Sequence, residues 1–429
     1  MSCATSTAVW QNGGFSAKFK GSSSIELLCK TEHLCFDFRH FAKLQNVIAN
    51  GMTTEPQTKM TNMGRQIRQI RLGLLMIITS ILLTSCQLGR FVFYNFADIK
   101  DHKKFQSRPL TANASSFHFQ TTNKGKFPKE LNNIPFDKYL EDNKTVAFII
   151  IKNDTIQYEK YFKGYDKESI VPSFSMAKSV TSILIGCAID EGLIKSVDEP
   201  ITNYIPELKK NGFDKVTIKH LLQMTSGIKF NESYVNPFGD AASFYYGLNL
   251  RKEIGKMKLK TEPGKKFEYV SGNTQLLGLV LERSLKEKTI TSYLQEKIWT
   301  PLEMEYDASW SIDRKKNGLE KTFCCLNARA RDFAKIGRLY KNKGNWNGKQ
   351  IVSQKWVEES TKLDTSEGSV NFYQYQWWLP KPNEDFMAEG ILGQFVYVNP
   401  SKDLIIVRLG KKEGKADWWT IFTSLAKAY

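Results

Sequence analysis

Ser175 and Lys178 lie three positions apart within the sequence PSFSMAKSV, residues 172–180. On a helix this spacing places both side chains on one face. A serine hydroxyl is a weak nucleophile that needs a neighbouring base, and a lysine withdrawn from water can accept its proton because its pKa falls. The pair therefore predicts acyl transfer through a serine nucleophile. The same spacing recurs at Ser226–Lys229 and Ser424–Lys427, so spacing alone does not identify the site.

The first copy differs from the other two in its position along the chain. Ser175 opens a helical pattern, and backbone N–H groups at a helix N-terminus favour a developing oxyanion. Ser226 is followed at once by Gly227 in a predicted turn, and Ser424 lies inside the last amphipathic helix. The alternative for Ser175 is a helix-capping serine without a chemical role.

A histidine-dependent mechanism finds little support in the chain. A Ser-His-Asp triad needs a well-placed histidine, and His220 lies in a helical pattern that favours a packing role. A mechanism without histidine needs a second proton carrier. Tyrosine can serve when nearby cations stabilise its phenolate. The histidines of the chain are His33, His40, His102, His118 and His220.

Three motifs in order resemble those of the serine β-lactamase-like hydrolases, for which Ser-x-x-Lys is a signature element. They are SMAKS (175–179), PGKKFEYVSGNTQLLG (263–278) and GILGQFVYVNP (390–400). The segments HLLQMTSG (220–227) and 328–353 also look like family segments. The resemblance runs from about residue 130 to the end. It is nearest to the class C-like group, which includes D-alanyl-D-alanine peptidases, esterases and the 6-aminohexanoate-oligomer hydrolases.

The resemblance implies a role for each matching residue. Ser175 would be acylated, Lys178 would accept its proton, and Tyr269 would carry the proton to the leaving group and activate the hydrolytic water. The backbone N–H groups of Ser175 and Ile391 would form the oxyanion hole. The remaining residues expected to bind substrate or shape the oxyanion site are Ser271, Gly390, Gly393 and Gln394.

Two departures from the family pattern narrow the expected substrate. Ser271 stands where the Tyr-x-Asn motif has asparagine, and Ala388-Glu389-Gly390 stands where β-lactam-processing members have Lys-Thr-Gly or His-Thr-Gly. The missing base would normally attract a carboxylate, and Glu389 would repel one if it faces the site. The pattern looks more like the 6-aminohexanoate-oligomer hydrolase branch. We expect a hydrolase of esters or open-chain amides; the alternative is a penicillin-binding-like peptidoglycan peptidase or a slow-turnover sensor.

The elements around these motifs predict an α/β (α+β) fold. Hairpins are expected at 145–166 and 393–410, and helices from Ser175 onward, over 217–227, 274–285 and 328–344, and at the C-terminus. Strands at both ends of the domain would form an antiparallel sheet flanked by helices, with an inserted all-helical lobe. The aromatic residues of 231–249 either line an acyl pocket or form the core of that lobe.

The pattern of the N-terminal part predicts an export and anchoring segment. Residues 63–86 combine a positive n-region, an apolar stretch and the sequence LTSC, which resembles a lipobox with Cys86 as the lipidated residue. An uncleaved signal anchor is the alternative. We interpret 1–62 as a mis-called or disordered extension with the true start at Met60 or Met63, 87–130 as a tether, and 131–429 as the β-lactamase-like serine hydrolase domain. The expected location is the bacterial cell envelope, with Cys86 tying the protein to the membrane.

Composition adds expectations about partners. The net charge is +17, but the lysines are scattered, which favours a solvated surface over a nucleic-acid face. The cysteines show no zinc-ligand spacing, so we expect no metal and no cofactor. Adjacent Cys324 and Cys325 are expected as free thiols, because a disulfide between neighbours is strained. A monomer or a weak homo-oligomer is expected.

Overall fold

The computed structural model of the protein describes residues 67–75 and 96–429. Residues 67–75 are helical and belong to a unit, residues 1–79, separate from the unit 80–429. Cys86 and most of the predicted signal segment lie outside the described residues, so their predicted roles stay predictions. None of the described helices is both long and apolar enough to cross a membrane.

An eight-stranded sheet forms the centre of the larger unit, with strand order β14-β15-β16-β17-β18-β5-β6-β2. Its middle strands pair antiparallel and come from both ends of the domain, as predicted: β5 and β6 form one hairpin, and β17 and β18 form the other. The run VAFIII within β5 is apolar on both sides, which suits a strand with helices on both faces of the sheet. A smaller sheet has the order β1-β10-β11-β7.

The strands have the following bounds in chain order: β1 Ser107–Leu110, β2 Gln120–Thr121, β3 Glu130–Leu131, β4 Ile134–Pro135, β5 Thr145–Lys152, β6 Thr155–Tyr161, β7 Val171–Pro172, β8 Ile228–Lys229, β9 Lys258–Leu259, β10 Ala308–Ser311, β11 Leu326–Ala328, β12 Asn345–Trp346, β13 Lys349–Gln350, β14 Tyr373–Gln374, β15 Trp377–Lys381, β16 Asp385–Gly390, β17 Gln394–Asn399 and β18 Leu404–Gly410.

The helices lie on the two faces of the main sheet and in the inserted lobe. Their bounds, numbered from residue 136 onward, are α1 Phe136–Asp142, α2 Met176–Asp190, α3 Ile218–Leu222, α4 Asp240–Tyr246, α5 Leu250–Ile254, α6 Ser271–Ser284, α7 Ile290–Leu294, α8 Ala330–Lys341, α9 Gln354–Thr361 and α10 Trp418–Ala428. Helices α1 and α10 pack on one face of the sheet, and α2 and α8 on the other. The fold class predicted from the sequence is confirmed.

The segment predicted as a tether, 87–130, is packed on the domain over most of its described part. Leu110 of β1 is buried, and β1 pairs with β10 along its whole length. Ile99, Phe105 and Phe119 are also buried. The prediction failed because these apolar residues are widely spaced and the edge strand has only four residues, so neither helical nor strand periodicity is visible.

Candidate active site

Ser175 stands directly before α2, and its side chain does not cap the helix. The hydroxyl makes no capping hydrogen bond to the first turn, which argues against the plain capping role. Phe174, the residue before it, has a φ of 44°, a left-handed conformation that costs energy for a non-glycine residue. Such strained turns concentrate at functional sites, where the surrounding structure maintains them.

Lys178 is 1% exposed and points at Ser175. Its Nζ donates hydrogen bonds to Ser175 Oγ at 3.0 Å, to Ser271 Oγ at 3.2 Å and to the carbonyl oxygen of Phe323 at 3.0 Å. Burial lowers the pKa of Lys178 to about 8, although the Glu232 carboxylate acts in the opposite direction. A neutral amine is therefore accessible near neutral pH, as a proton acceptor for serine requires.

The other two Ser-x-x-Lys copies have no comparable arrangement. The Ser226 hydroxyl pairs with the Asn273 side chain, while Lys229 is an exposed residue of β8. Ser424 and Lys427 are both exposed on α10. Only at Ser175 does the tertiary structure bury the lysine against the hydroxyl.

Glu232 completes a hydrogen-bonded chain that sequence reasoning missed. Its carboxylate accepts the Ser271 N–H at 2.7 Å and the Ser271 hydroxyl at 2.5 Å, so Ser271 links Glu232 to Lys178. The Tyr234 hydroxyl also donates to Glu232, at 2.7 Å. Glu232 lies in an irregular loop far along the chain from Ser175, and no local motif marks it.

Tyr269 lies over Lys178, with Nζ 5.0 Å from the ring centroid. Its withdrawal from water raises the pKa of the phenol strongly; a hydrogen bond with Ser175 acts in the opposite direction, and the carboxylates of Glu232 and Glu389 raise the pKa further. The raised pKa favours the protonated phenol in the free protein, which suits Tyr269 to donate a proton.

The end of β16 closes against the Ser175 turn. A Cβ on Gly390 would lie 2.5 Å from Ser173 O and 2.9 Å from Ser175 N, so only glycine permits this approach. Ile391 follows immediately and lines the same pocket as Ser175. Among the described residues, neither the N–H of Ser175 nor that of Ile391 donates a backbone hydrogen bond. The two amides are therefore free to bind an oxyanion.

An apolar pocket opens beside Ser175. Of the aromatic residues in 231–249, Tyr234, Tyr245 and Tyr246 line this pocket. Phe244 is instead buried in the core, and Phe238 is 78% exposed. Both alternatives for these residues are thus realised. The other lining residues are Ala97, Phe174, Ala241, Ala242, Ser271, Phe323, Cys324 and Ile391.

Cys324 and Cys325 form a disulfide with each other, which corrects the prediction of free thiols. The bond is accommodated because Cys325 adopts a positive φ of 71° in a tight turn. Trp310 Nε1 donates to the Cys324 carbonyl at 3.0 Å and supports the turn. The preceding residue, Phe323, supplies the carbonyl that accepts from Lys178, so the disulfide borders the site.

Gly393 lies in the turn after β16 and Gln394 begins β17, and neither residue lines the pocket. Gln394 is fully buried and its side chain bonds both backbone groups of Gly410, and Gly393 has a φ of 80° with its carbonyl bound by Arg408. Their contacts indicate support of the sheet end instead of substrate binding.

The histidines of the described part lie away from this site. His220 caps α3 with Thr217. His102 is partly buried beside β1, and His118 pairs with Glu305. Within the part of the chain that the structure describes, no three potential metal-ligating side chains lie together.

The model of the beta-lactamase family matches residues 136–419, which include Ser175, Lys178, Tyr269 and Ile391. The chain belongs to the beta-lactamase family. Members of this family are serine hydrolases, and this chain is a β-lactamase-fold hydrolase.

Similar proteins include hydrolases of several kinds. The 6-aminohexanoate-dimer hydrolase of Paenarthrobacter ureafaciens is 28% identical over 64% of this chain and 74% of that protein. A candidate 6-aminohexanoate-dimer hydrolase from Bacillus anthracis has a similar structure, with a TM-score of 0.68, 24% identity, and coverage of 79% of this chain and 94% of that one. A family VIII carboxylesterase superposes with a TM-score of 0.55 at 18% identity, over 68% of this chain and 95% of its own.

Proposed function

We propose that the protein hydrolyses an ester or open-chain amide through an acyl-enzyme on Ser175. The observation that carries the proposal is the buried Lys178 amine, which lies 3.0 Å from Ser175 Oγ and has a pKa lowered to about 8. Neutral Lys178 takes the Ser175 proton as Oγ attacks the carbonyl carbon. The N–H groups of Ser175 and Ile391 stabilise the oxyanion that forms.

Tyr269 acts on the leaving group when the tetrahedral intermediate collapses. Its phenol donates a proton to the departing oxygen or nitrogen, and the Lys178 ammonium returns a proton to Tyr269. Deacylation follows the reverse path: a water gives its proton through Tyr269 to Lys178 while its oxygen attacks the acyl-enzyme. Lys178 then protonates Ser175 Oγ as the carboxylic acid leaves, which restores every group to its starting state.

The pocket favours an apolar, open-chain acyl group. Its walls are aromatic rings and alanines, and the described residues that line it include no charged side chain. The names of two similar proteins, a 6-aminohexanoate-dimer hydrolase and a family VIII carboxylesterase, support amides and esters as the two bond types to test.

The decisive experiment compares wild type with Ser175→Ala on p-nitrophenyl butyrate, on an open-chain amide and on nitrocefin. The variant should lose ester hydrolysis and covalent labelling by a fluorophosphonate, and Ser424→Ala is the matched control because that serine is exposed on α10. Full activity in Ser175→Ala would end the proposal. A burst of one equivalent followed by arrest in wild type would instead support the slow-turnover sensor or peptidase-like alternative.

We further propose that the mature protein is exported and lipid-anchored through Cys86. The positive n-region and the LTSC sequence support this proposal. The Cys324–Cys325 disulfide also fits an oxidising compartment. Expression in a bacterial host with labelled palmitate should label wild type but not Cys86→Ser, and equal labelling of both would contradict the anchor.

A further inference from the structure

Glu389 is a partly buried carboxyl beside the site that the proposed mechanism does not use. It precedes Gly390, whose Cα lies against the Ser175 turn, and its charge acts on the Tyr269 phenol. One carboxylate oxygen, Oε2, accepts the indole N–H of Trp419 at 2.9 Å. Glu389 does not line the apolar pocket that we assign to the acyl group.

Aromatic rings connect Glu389 to Tyr269. The ring centroids of Trp419 and Trp378 are 5.7 Å apart, and those of Trp378 and Tyr269 are 5.2 Å apart. Trp378 and Trp419 are only partly buried, and Phe372, 38% exposed, stacks on Trp378. The surface next to the proton donor is therefore aromatic with one carboxyl at its base.

We propose that Glu389, Trp419 and Trp378 form a subsite for an alkylammonium group carried by the leaving part of the substrate. The inference deepens the proposed function and rests on it, because Tyr269 marks the leaving-group side only if it protonates that group. Aromatic faces attract organic cations, and a carboxylate adds a full opposite charge. An ammonium group next to the scissile bond would thus be held by both.

The local electrostatics disfavour the opposite preference. Among the described residues, no basic side chain forms an ion pair with Glu389, and the charge that acts on its carboxyl group is that of another carboxylate, Glu413. Burial raises the pKa of Glu389 to about 7, with Glu413 acting in the same direction. A cationic leaving group stabilises the ionised carboxylate, whereas an anionic one is repelled by that ionised form.

The test uses two esters of equal shape that differ by one charge. Butyrylcholine and 3,3-dimethylbutyl butyrate share the acyl chain and the branched leaving group, but only the first carries a cation. In wild type we expect kcat/KM to favour the cationic ester by about tenfold. In Glu389→Gln the ratio should fall close to one, whatever the change does to both rates. Glu384→Gln removes an exposed carboxylate in the turn before β16, at the opposite end of the strand from Glu389; it is the matched control and should keep the wild-type ratio.

A ratio near one in wild type, or an unchanged ratio in Glu389→Gln, overturns the subsite. If neither ester is hydrolysed, the proposed function fails separately, and a binding measurement still decides the subsite. Ligand-observed NMR with butyltrimethylammonium should then show binding to wild type and to Glu384→Gln but not to Glu389→Gln. No binding to wild type rejects the inference.

Discussion

The Glu232→Gln substitution tests how the structure sets the proton affinity of Lys178. Glutamine keeps the size of glutamate and an oxygen that can accept from Ser271, so the hydrogen-bonded chain can be retained while the charge is removed. Because the Glu232 carboxylate raises the pKa of Lys178, its loss should lower that pKa below the wild-type value of about 8.

The size of the expected fall in the Lys178 pKa follows from the distance between the two charges. The two hydrogen bonds through Ser271, 3.2 Å and 2.5 Å long, place Lys178 Nζ and Glu232 Oε1 less than about 6 Å apart. At an effective dielectric constant of about 20, unit charges at this distance interact by about 3 kcal/mol. Solvent screening of the partly exposed loop reduces this value, so a fall of about one to two pKa units is expected.

The assay is the pH dependence of kcat/KM for p-nitrophenyl butyrate between pH 5.5 and 9.5. Neutral Lys178 is the reactive form, so wild-type activity should rise with pH through about 8, with about a tenth of the plateau reached at pH 7. In Glu232→Gln the rising limb should move to lower pH by about one to two units, and Glu384→Gln should not move it. A limb that stays in place or moves to higher pH in Glu232→Gln would refute this account of Lys178.

Two further predictions concern the backbone around the nucleophile. Gly390→Ala would place a Cβ 2.5 Å from a backbone carbonyl oxygen, so we expect a loss of about 1–3 kcal/mol in thermal or urea unfolding. The backbone displacement that relieves this clash would also move the oxyanion site, so kcat/KM should fall by about a hundredfold. Gly255→Ala is the control, because its nearest contacts are at 3.5 Å, and equal activity of both variants would contradict the close approach. Reduction of Cys324–Cys325 should loosen the turn that presents the Phe323 carbonyl and lower kcat/KM by about tenfold. The measurement is kcat/KM with and without a phosphine reductant, with mass spectrometry to verify reduction. A Cys324→Ser/Cys325→Ser variant is the control and should not respond to the reductant. Full activity of reduced wild type would refute a role of the disulfide in presenting the Phe323 carbonyl.

The local sequence pattern was sufficient to predict a strand or helix whose own residues determine its structure. The apolar run of β5 and the hairpin over β17 and β18 were predictable, because a nearly continuous apolar run rich in β-branched residues is typical of a strand covered on both faces. The helix after Ser175 was predictable from its spacing. The predicted helix at 274–285 begins three residues earlier, at Ser271, because the first turn is packed against the site instead of being exposed.

The sequence pattern did not predict structural features that depend on packing between segments far apart in the chain. The described residues before 130 looked like a tether because their buried side chains are scattered, yet β1 is held by β10, about two hundred residues away. Cys324 and Cys325 were expected as free thiols because a disulfide between neighbours is strained, yet they form one in a turn that is supported by Trp310 and precedes β11.

The sequence by itself determined that the chain carries a β-lactamase-like fold and that Ser175, Lys178 and Tyr269 are the residues to examine, because each lies in a motif of fixed spacing. Only the tertiary structure decided which Ser-x-x-Lys copy can react. Burial lowers the pKa of Lys178, Ser271 connects that amine to Glu232, and the phenol of Tyr269 keeps its proton. The proton affinity of a side chain depends on its distance from water and from other charges, and segments far apart in the sequence set those distances.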